Sequence, residues 1–178
     1  EVVNYVHAMN HGLARLHKLP LSVRLIREIH HRLLHGVRGN QANPGELRRS
    51  QNWIGPGGST LNEATFVPPP PQEVERLLSD MEKFIHESDR IPPLVKIGLI
   101  HAQFETIHPF LDGNGRVGRL LITFLLCEAE ILIKPVLYLS YYFKLHRARY
   151  YELLQAVRDR GGWEGWIKVF LEGVVVSR

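Results

Sequence analysis

Apolar side chains recur every three or four residues through most of this chain. Val2, Val6, Met9, Leu13 and Leu16 share one face and predict a helix over residues 2–17. Pro20 follows its end. Ser22 then stands as the N-cap of a second helix, with Leu25, Ile26, Ile29, Leu33 and Leu34 on its face and Gly36 as its stop. Val74, Leu77, Leu78, Met81, Phe84 and Ile85 predict a third helix over residues 72–89, broken by Pro92-Pro93. Two further segments, 94–107 and 117–128, are apolar around most of the circumference, as expected of central, buried helices. A short apolar connection, 131–139, contains Pro135. Ser140 is placed as the cap of a helical stretch through Tyr141, Tyr142, Phe143 and Leu145. Tyr150, Leu153, Leu154 and Val157 carry the pattern on to Gly161-Gly162, a helix stop. Trp163, Trp166, Ile167, Phe170 and Val174 predict the last helix.

Only residues 36–70 lose the period. Glycines, asparagines and Pro44 open that segment, and Pro56, Gly57, Gly58 and the run Pro68 to Pro71 close it. Ser50 to Gly55 and Ala64 to Val67 read as the two short strands of a β-hairpin of marginal stability. A connection of this length inside a compact domain is usually functional. The expected architecture is all-α, about seven or eight helices with one hairpin, in a single domain over residues 1–178.

Composition narrows the function little. The net charge of +4 comes from 22 basic residues interleaved with 18 acids, an ordinary solvated surface and not the footprint of a nucleic-acid binder. No apolar run approaches the roughly 18 residues of a membrane span. The single cysteine, Cys127, excludes an internal disulfide and a multi-cysteine metal cluster, reads as a small buried residue, and points to a cytoplasmic protein. His31 and His35 lie one turn apart and could share a metal, but no third ligand is near in sequence, so a packed or solvated pair is expected. The chain opens on Glu1, not Met, and is expected to be a piece of a longer product.

The chemistry concentrates between the two buried segments, where the chain reads I-H-P-F-L-D-G-N-G-R-V-G-R-L-L from Ile107 to Leu121. Pro109 disfavours helical backbone at His108 and should end one helix there. The glycines allow conformations strained for other residues, and the next helix should start near Gly113 or Asn114. Free N–H groups at that start, with Arg116 and Arg119 a turn apart, make an anion site. A P-loop or Rossmann reading fails, because no G-x-x-x-x-G-K-[ST] is present and no strand precedes the turn. Two arginines at one glycine turn call for more negative charge than Asp112 supplies. A polyphosphate with Mg²⁺ satisfies every group: N–H groups and arginines on phosphate oxygens, Asp112 on the metal, His108 as acceptor of a hydroxyl proton. In-line attack on phosphorus needs mainly positioning and charge neutralisation.

The stretch H-P-F-L-D-G-N-G-R-V-G-R resembles the signature of Fic domain proteins, H-P-F-x-[DE]-G-N-G-R-x-x-R, at every fixed position. The resemblance extends to E-V-V-N-Y-V-H-A-M-N-H-G-L at the start, S-Q-N-W-I-G before the prolines and R-x-x-Y-Y-x-L-L near the end. It implies the Fic fold and transfer of AMP from ATP to a Ser, Thr or Tyr hydroxyl of a protein, with release of pyrophosphate. By that resemblance His108 is the base, and Asp112 holds Mg²⁺ between the α- and β-phosphates. Gly113, Asn114, Gly115 and Arg116 form the phosphate cradle, and Arg119 contacts the terminal phosphate. Phe110 anchors the loop. Tyr150, Tyr151 and Leu154 would lie near the adenine, with plain helix packing as the other reading.

The resemblance also makes residues 50–67 a flap that aligns a target by strand addition, with Gln51, Asn52, Trp53 and Ile54 at the contact. Self-modification and a homodimer are compatible with it. The inhibitory S/T-x-x-x-E-G/N helix of many members is absent from residues 1–178 and is expected upstream, which would leave Arg119 free and this piece more active than its parent. Gly162, where relatives often have Asp, leaves the last helix without a side-chain cap. Three other activities stay open: transfer of another nucleotide, phosphocholine or phosphate; removal of AMP; and a nucleotide-sensing or peptide-binding module.

Overall fold

The protein, described by a computed structural model over residues 2–37, 41–87, 90–132 and 139–177, forms eight α-helices among those residues. They are α1 (Val2–Leu16), α2 (Val23–Leu34), α3 (Val74–His86), α4 (Pro93–Ile107), α5 (Asn114–Glu128), α6 (Leu139–Leu145), α7 (Arg147–Arg160) and α8 (Trp163–Val176). No helix among the described residues is long and apolar enough to cross a membrane.

The two segments read as buried are the core of the bundle. Ile97, Ile100, Phe104 and Ile107 of α4 and Val117, Leu120, Leu121, Ile122 and Phe124 of α5 are all nearly inaccessible. The pair α1 and α2 lies on one side of α5, α3 lies against α4, and α7 and α8 close the other side of α4. Close approach depends on glycine at defined points. A side chain at Gly12 would collide with the Phe124 ring, and one at Gly98 would lie 2.9 Å from Ile167 and 3.1 Å from Phe170. Trp166, fully buried, donates its indole N–H to Gly98 O at 2.9 Å and so pins α8 to α4.

Caps mostly sit where the sequence placed them. Ser22 Oγ accepts the Leu25 N–H at 3.3 Å, and Pro93 stands at the first position of α4, where a missing N–H costs nothing. Gly161, with φ 65°, ends α7 in the left-handed conformation. Gly162 precedes α8 without a side-chain cap. Ser140 lies inside α6, not ahead of it, and His146 separates α6 from α7. Residues 71–73 form a 3-10 turn ahead of α3. Pro135, most of the 131–139 connection, Gly39, Asn40 and residues 88–89 lie outside the described residues. Cys127 is partly buried, and His31 and His35 are exposed, with ring centroids 6.1 Å apart.

The expected hairpin is a correction. Instead of two paired strands, residues 50–67 carry one isolated antiparallel bridge, Ile54 to Phe66. Its bonds run from Ile54 N–H to Phe66 O (2.9 Å) and from Phe66 N–H to Ile54 O (3.1 Å). The ladder cannot lengthen for a physical reason. Pro56 and Pro68 lack donors, residues 61–63 coil into a 3-10 turn capped by Thr60 and Glu63, and the Gln51 and Asn52 side chains bond backbone carbonyls nearby.

Candidate active site

The two core helices meet at the motif loop, and their ends face one another across it. His108 ends α4 in a left-handed conformation (φ 49°, ψ 60°), its N–H still bonded to Phe104 O at 3.0 Å. A non-glycine residue held at positive φ is uncommon, and such residues cluster at functional sites. Gly113, with φ 83°, precedes the first turn of α5, whose leading N–H groups have no acceptor in their own helix. Asn114 closes the loop from beneath. Its Oδ1 accepts the Phe110 N–H (2.9 Å) and its Nδ2 donates to Phe110 O (2.7 Å), both buried. The Asn114 side chain is therefore spent on the loop, and only its backbone N–H is left for a ligand.

Residues outside the motif hold this loop. Arg48 is 3 % exposed and spreads its guanidinium over carbonyls of Ile107 (3.2 Å), His108 (2.9 Å), Pro69 and Ser50. A buried cation suits this place, where the last carbonyls of α4 concentrate negative potential. Asn52 Nδ2 donates to Phe110 O at 2.9 Å and reaches His108 O at 3.3 Å. His30 stacks on Phe110 with ring centroids 3.7 Å apart. Its Nδ1 accepts the Gly45 N–H (2.8 Å), so its Nε2–H donates to Asp112 O (2.9 Å).

The His108 ring is 18 % exposed. Burial pushes the imidazole down to about 4 against the pull of the Glu105 backbone carbonyl, with the Arg158 and Arg48 cations adding to the drop, so it is neutral at neutral pH. Its Nδ1 is buried and faces both the Glu105 backbone carbonyl, which favours the protonated ring, and Glu105 Oε2 at 4.0 Å, with neither in full hydrogen-bond geometry, while Nε2 keeps access to solvent. Asp112 is half-exposed. Its Oδ1 accepts the Gly113 N–H at 2.6 Å and lies 3.6 Å from Arg116 Nη2. Among the described residues no three acids, histidines or cysteines gather as a metal cage. One accessible carboxylate beside an anion cradle fits Mg²⁺, which binds through one or two carboxylates plus substrate phosphates. Arg119 reaches back over the first turn of α5, and its guanidinium makes no hydrogen bond or ion pair among the described residues, although its carbonyl accepts from Thr123 Oγ1 at 3.4 Å.

The family model for Fic/DOC matches residues 20–126, which takes in the whole of this loop, all of α4, and α5 as far as Leu126. The chain belongs to the Fic/DOC family. It is 32 % identical over 144 residues to the protein adenylyltransferase Fic of Drosophila grimshawi, covering 80 % of this chain and 26 % of that protein. To the protein of the same name from Aedes aegypti it is 33 % identical over 141 residues, 78 % of this chain and 25 % of that one. The chain thus spans about a quarter of the length of the curated relatives it matches. Its fold matches a Fic family protein from Desulfovibrio desulfuricans with a TM-score of 0.79 at 22 % identity, over 97 % of this chain and 51 % of that one. The BepC effector of Bartonella tribocorum, solved with bound AMPPNP, matches with a TM-score of 0.63 at 15 % identity, over 94 % and 83 % of the two chains.

Within this Fic domain the residues named outside the loop are placed unevenly. Tyr150 is buried and its hydroxyl meets His101 Nε2 at 2.9 Å, and Leu154 is buried beside it. Tyr151 is 46 % exposed, with the Arg147 guanidinium 5.6 Å from its ring. Gln51 and Asn52 turn inward to carbonyls, whereas Trp53 is exposed and donates to Ser59 O at 2.9 Å. Arg158, absent from the sequence reading, lies 3.9 Å from the Phe66 ring and bonds Glu105 O and Thr106 Oγ1, which ties the flap to the end of α4. Arg48, His30 and Glu105 were also missed. A groove of about 890 Å³ between α1, α2 and residues 44–46 takes in none of the motif residues.

Proposed function

We propose that this Fic domain transfers AMP from ATP to a Ser, Thr or Tyr hydroxyl of a protein and releases pyrophosphate. One observation supports the reading: a neutral imidazole stands at the end of one core helix, opposite the leading N–H groups of the next and the Arg119 guanidinium, which makes no hydrogen bond or ion pair among the described residues. The first turn of α5 and Arg116 hold α- and β-phosphate oxygens, and Arg119 turns to the terminal phosphate. Asp112 would hold Mg²⁺, which would supply charge neutralisation on the phosphates. His108 takes the hydroxyl proton on Nε2 as the oxygen attacks the α-phosphorus.

The target backbone would run along the flap. The Ile54 N–H and C=O point to Phe66, so those of Trp53 and Gly55 face the other edge, and among the described residues they bond to nothing. Of the three residues assigned to the adenine, Tyr151 offers an accessible ring. A cytoplasmic location rests only on the lone cysteine. Self-modification and dimerisation belong to the same reading.

The test is incubation with α-labelled ATP, Mg²⁺ and a lysate. Label should appear on a protein, this one included, and vanish in His108→Ala. Label that persists without His108 refutes the reading. A second reading, transfer of another nucleotide or phosphate-bearing group, is favoured by one feature. On this reading the cradle would contact phosphates, and of Tyr150, Tyr151 and Leu154 only Tyr151 offers an accessible ring to a base. Competition by unlabelled GTP, UTP and CTP separates the two.

A further inference from the structure

Among the described residues, three side-chain polar atoms around this site are buried and make no hydrogen bond; beside Asn52 Oδ1, two of them belong to neighbouring side chains. One is His108 Nδ1; the other is Oε1 of Glu105, on the last turn of α4, a residue only 6 % exposed. Native chains seldom leave such groups unpaired, because each costs about 1–3 kcal/mol. The second carboxylate oxygen, Oε2, lies 4.0 Å from Nδ1, about 1 Å beyond a hydrogen bond. Space for the carboxyl is made by α5. A side chain at Gly118 would come within 2.5 Å of Glu105 Oε1, and one at Gly115 within 3.9 Å.

The charged and titratable groups facing this carboxyl come from every element around it. They are Arg119 of α5, Arg158 and the Tyr150 hydroxyl of α7, His101 of α4 itself, and His108. None of them claims it. Arg158 spends its donors on Glu105 O, Thr106 Oγ1 and Gln155, and His101 is held between Gly118 O (3.1 Å) and the Tyr150 hydroxyl.

We propose that Glu105 is the positioning residue of His108, its carboxylate accepting the Nδ1–H and so presenting Nε2 as the base. The inference rests on the adenylyl-transfer reading and deepens it. As the target oxygen bonds to the α-phosphorus, the bond from that phosphorus to the pyrophosphate oxygen breaks and the hydroxyl proton moves to Nε2. The Nδ1 proton stays in place, hydrogen-bonded to Glu105, whose negative charge stabilises the imidazolium. Burial raises the Glu105 carboxyl to about 7, against the pull of Arg119 and Arg158. The supporting charge therefore develops near neutrality, and transfer should rise through that pH.

The experiment compares wild type, Glu105→Gln and Glu105→Leu by AMP transfer from α-labelled ATP between pH 6 and 8.5. ¹⁵N-histidine spectra are recorded with the nonhydrolysable α,β-methylene analogue of ATP and Mg²⁺. Glu105→Gln should lower kcat on the order of 10–100-fold, leave KM for ATP within about twofold, and flatten the rise near pH 7. It should not melt lower than wild type above pH 7, since it removes a buried charge. Wild type and Glu105→Gln should both show the His108 Nδ1–H tautomer, and Glu105→Leu should lose it.

Wild-type kcat and pH profile in Glu105→Gln overturn the proposal. So does an Nε2–H tautomer in the wild type, a measurement that stands even if neither variant folds. Absence of transfer by the wild type counts against the activity instead, and the tautomer of Glu105→Leu against wild type still decides the role of the Glu105 carboxyl, since the Glu105 backbone carbonyl is present in both.

Discussion

Arg48→Met should cost this domain a large part of its stability, although Arg48 contacts no substrate. Its guanidinium serves four carbonyls in a place that is 3 % exposed. His108 O keeps the Asn52 amide after the change, and the Ser50 contact is long at 3.5 Å. Ile107 O is then left buried and Pro69 O part-buried without a donor, at about 1–3 kcal/mol for the first and toward the low end of that range for the second. The cation at the α4 C-terminus adds roughly 0.5 kcal/mol. Methionine keeps most of the stem, so packing changes little. The expected loss is about 3–5 kcal/mol, against a total of roughly 5–15 kcal/mol for a domain. In a chain of this size that lowers Tm by about 10 °C. Calorimetry and urea unfolding measure it, with Arg48→Lys falling between, because an ammonium keeps the charge but reaches fewer carbonyls. A Tm for Arg48→Met within about 2 °C of wild type would show that water satisfies those carbonyls, and the argument would fail.

Other expectations follow from the same geometry. Asn114→Ala removes both bonds to Phe110 and should cost about 2–3 kcal/mol in denaturant unfolding while slowing transfer, as the loop loses its clamp. Gly118→Ala drives a methyl to 2.5 Å from Glu105 Oε1 and 3.3 Å from His101 and Phe104 and should cost about 1–3 kcal/mol by urea unfolding. Acid should unfold the domain early. Burial holds His30 and His108 at about 4 and His101 at about 3, so unfolding takes up their protons as pH falls below 6.5. Glu105, raised to about 7, works the other way, its contribution present below about 4.5 and lost as pH rises through 7. Three imidazoles outweigh one carboxyl, so stability should fall on the order of 2 kcal/mol per pH unit near pH 5.5, read from urea midpoints. Unchanged midpoints between pH 7 and 5 would refute it.

What the sequence made legible was whatever repeats or punctuates. The period in 94–107 and 117–128 gave the two core helices, Pro109 and Gly113 gave the bend, and Ser22 gave its cap. The groups that hold the bend have no such pattern. Arg48 reads as one more surface cation until the fold brings it to the end of α4, 60 residues on in the chain. His30 is as opaque: beside it, His31 and His35 drew attention by their spacing, yet His30 alone faces inward to Asp112. Glu105 sits in an apolar stretch, which is a signal in itself. A carboxyl on a helix buried all round needs either a partner or a task. The hairpin failed for the complementary reason. Turn residues on either side of the short runs Ser50 to Gly55 and Ala64 to Val67 suggested two strands, but the ladder depends on backbone donors, and there the prolines and the inward-turned amides of Gln51 and Asn52 decide. Patterns of side chains predict where a chain packs. The destinations of its unpaired carbonyls and N–H groups, which set the geometry of this site, become visible only when distant segments meet.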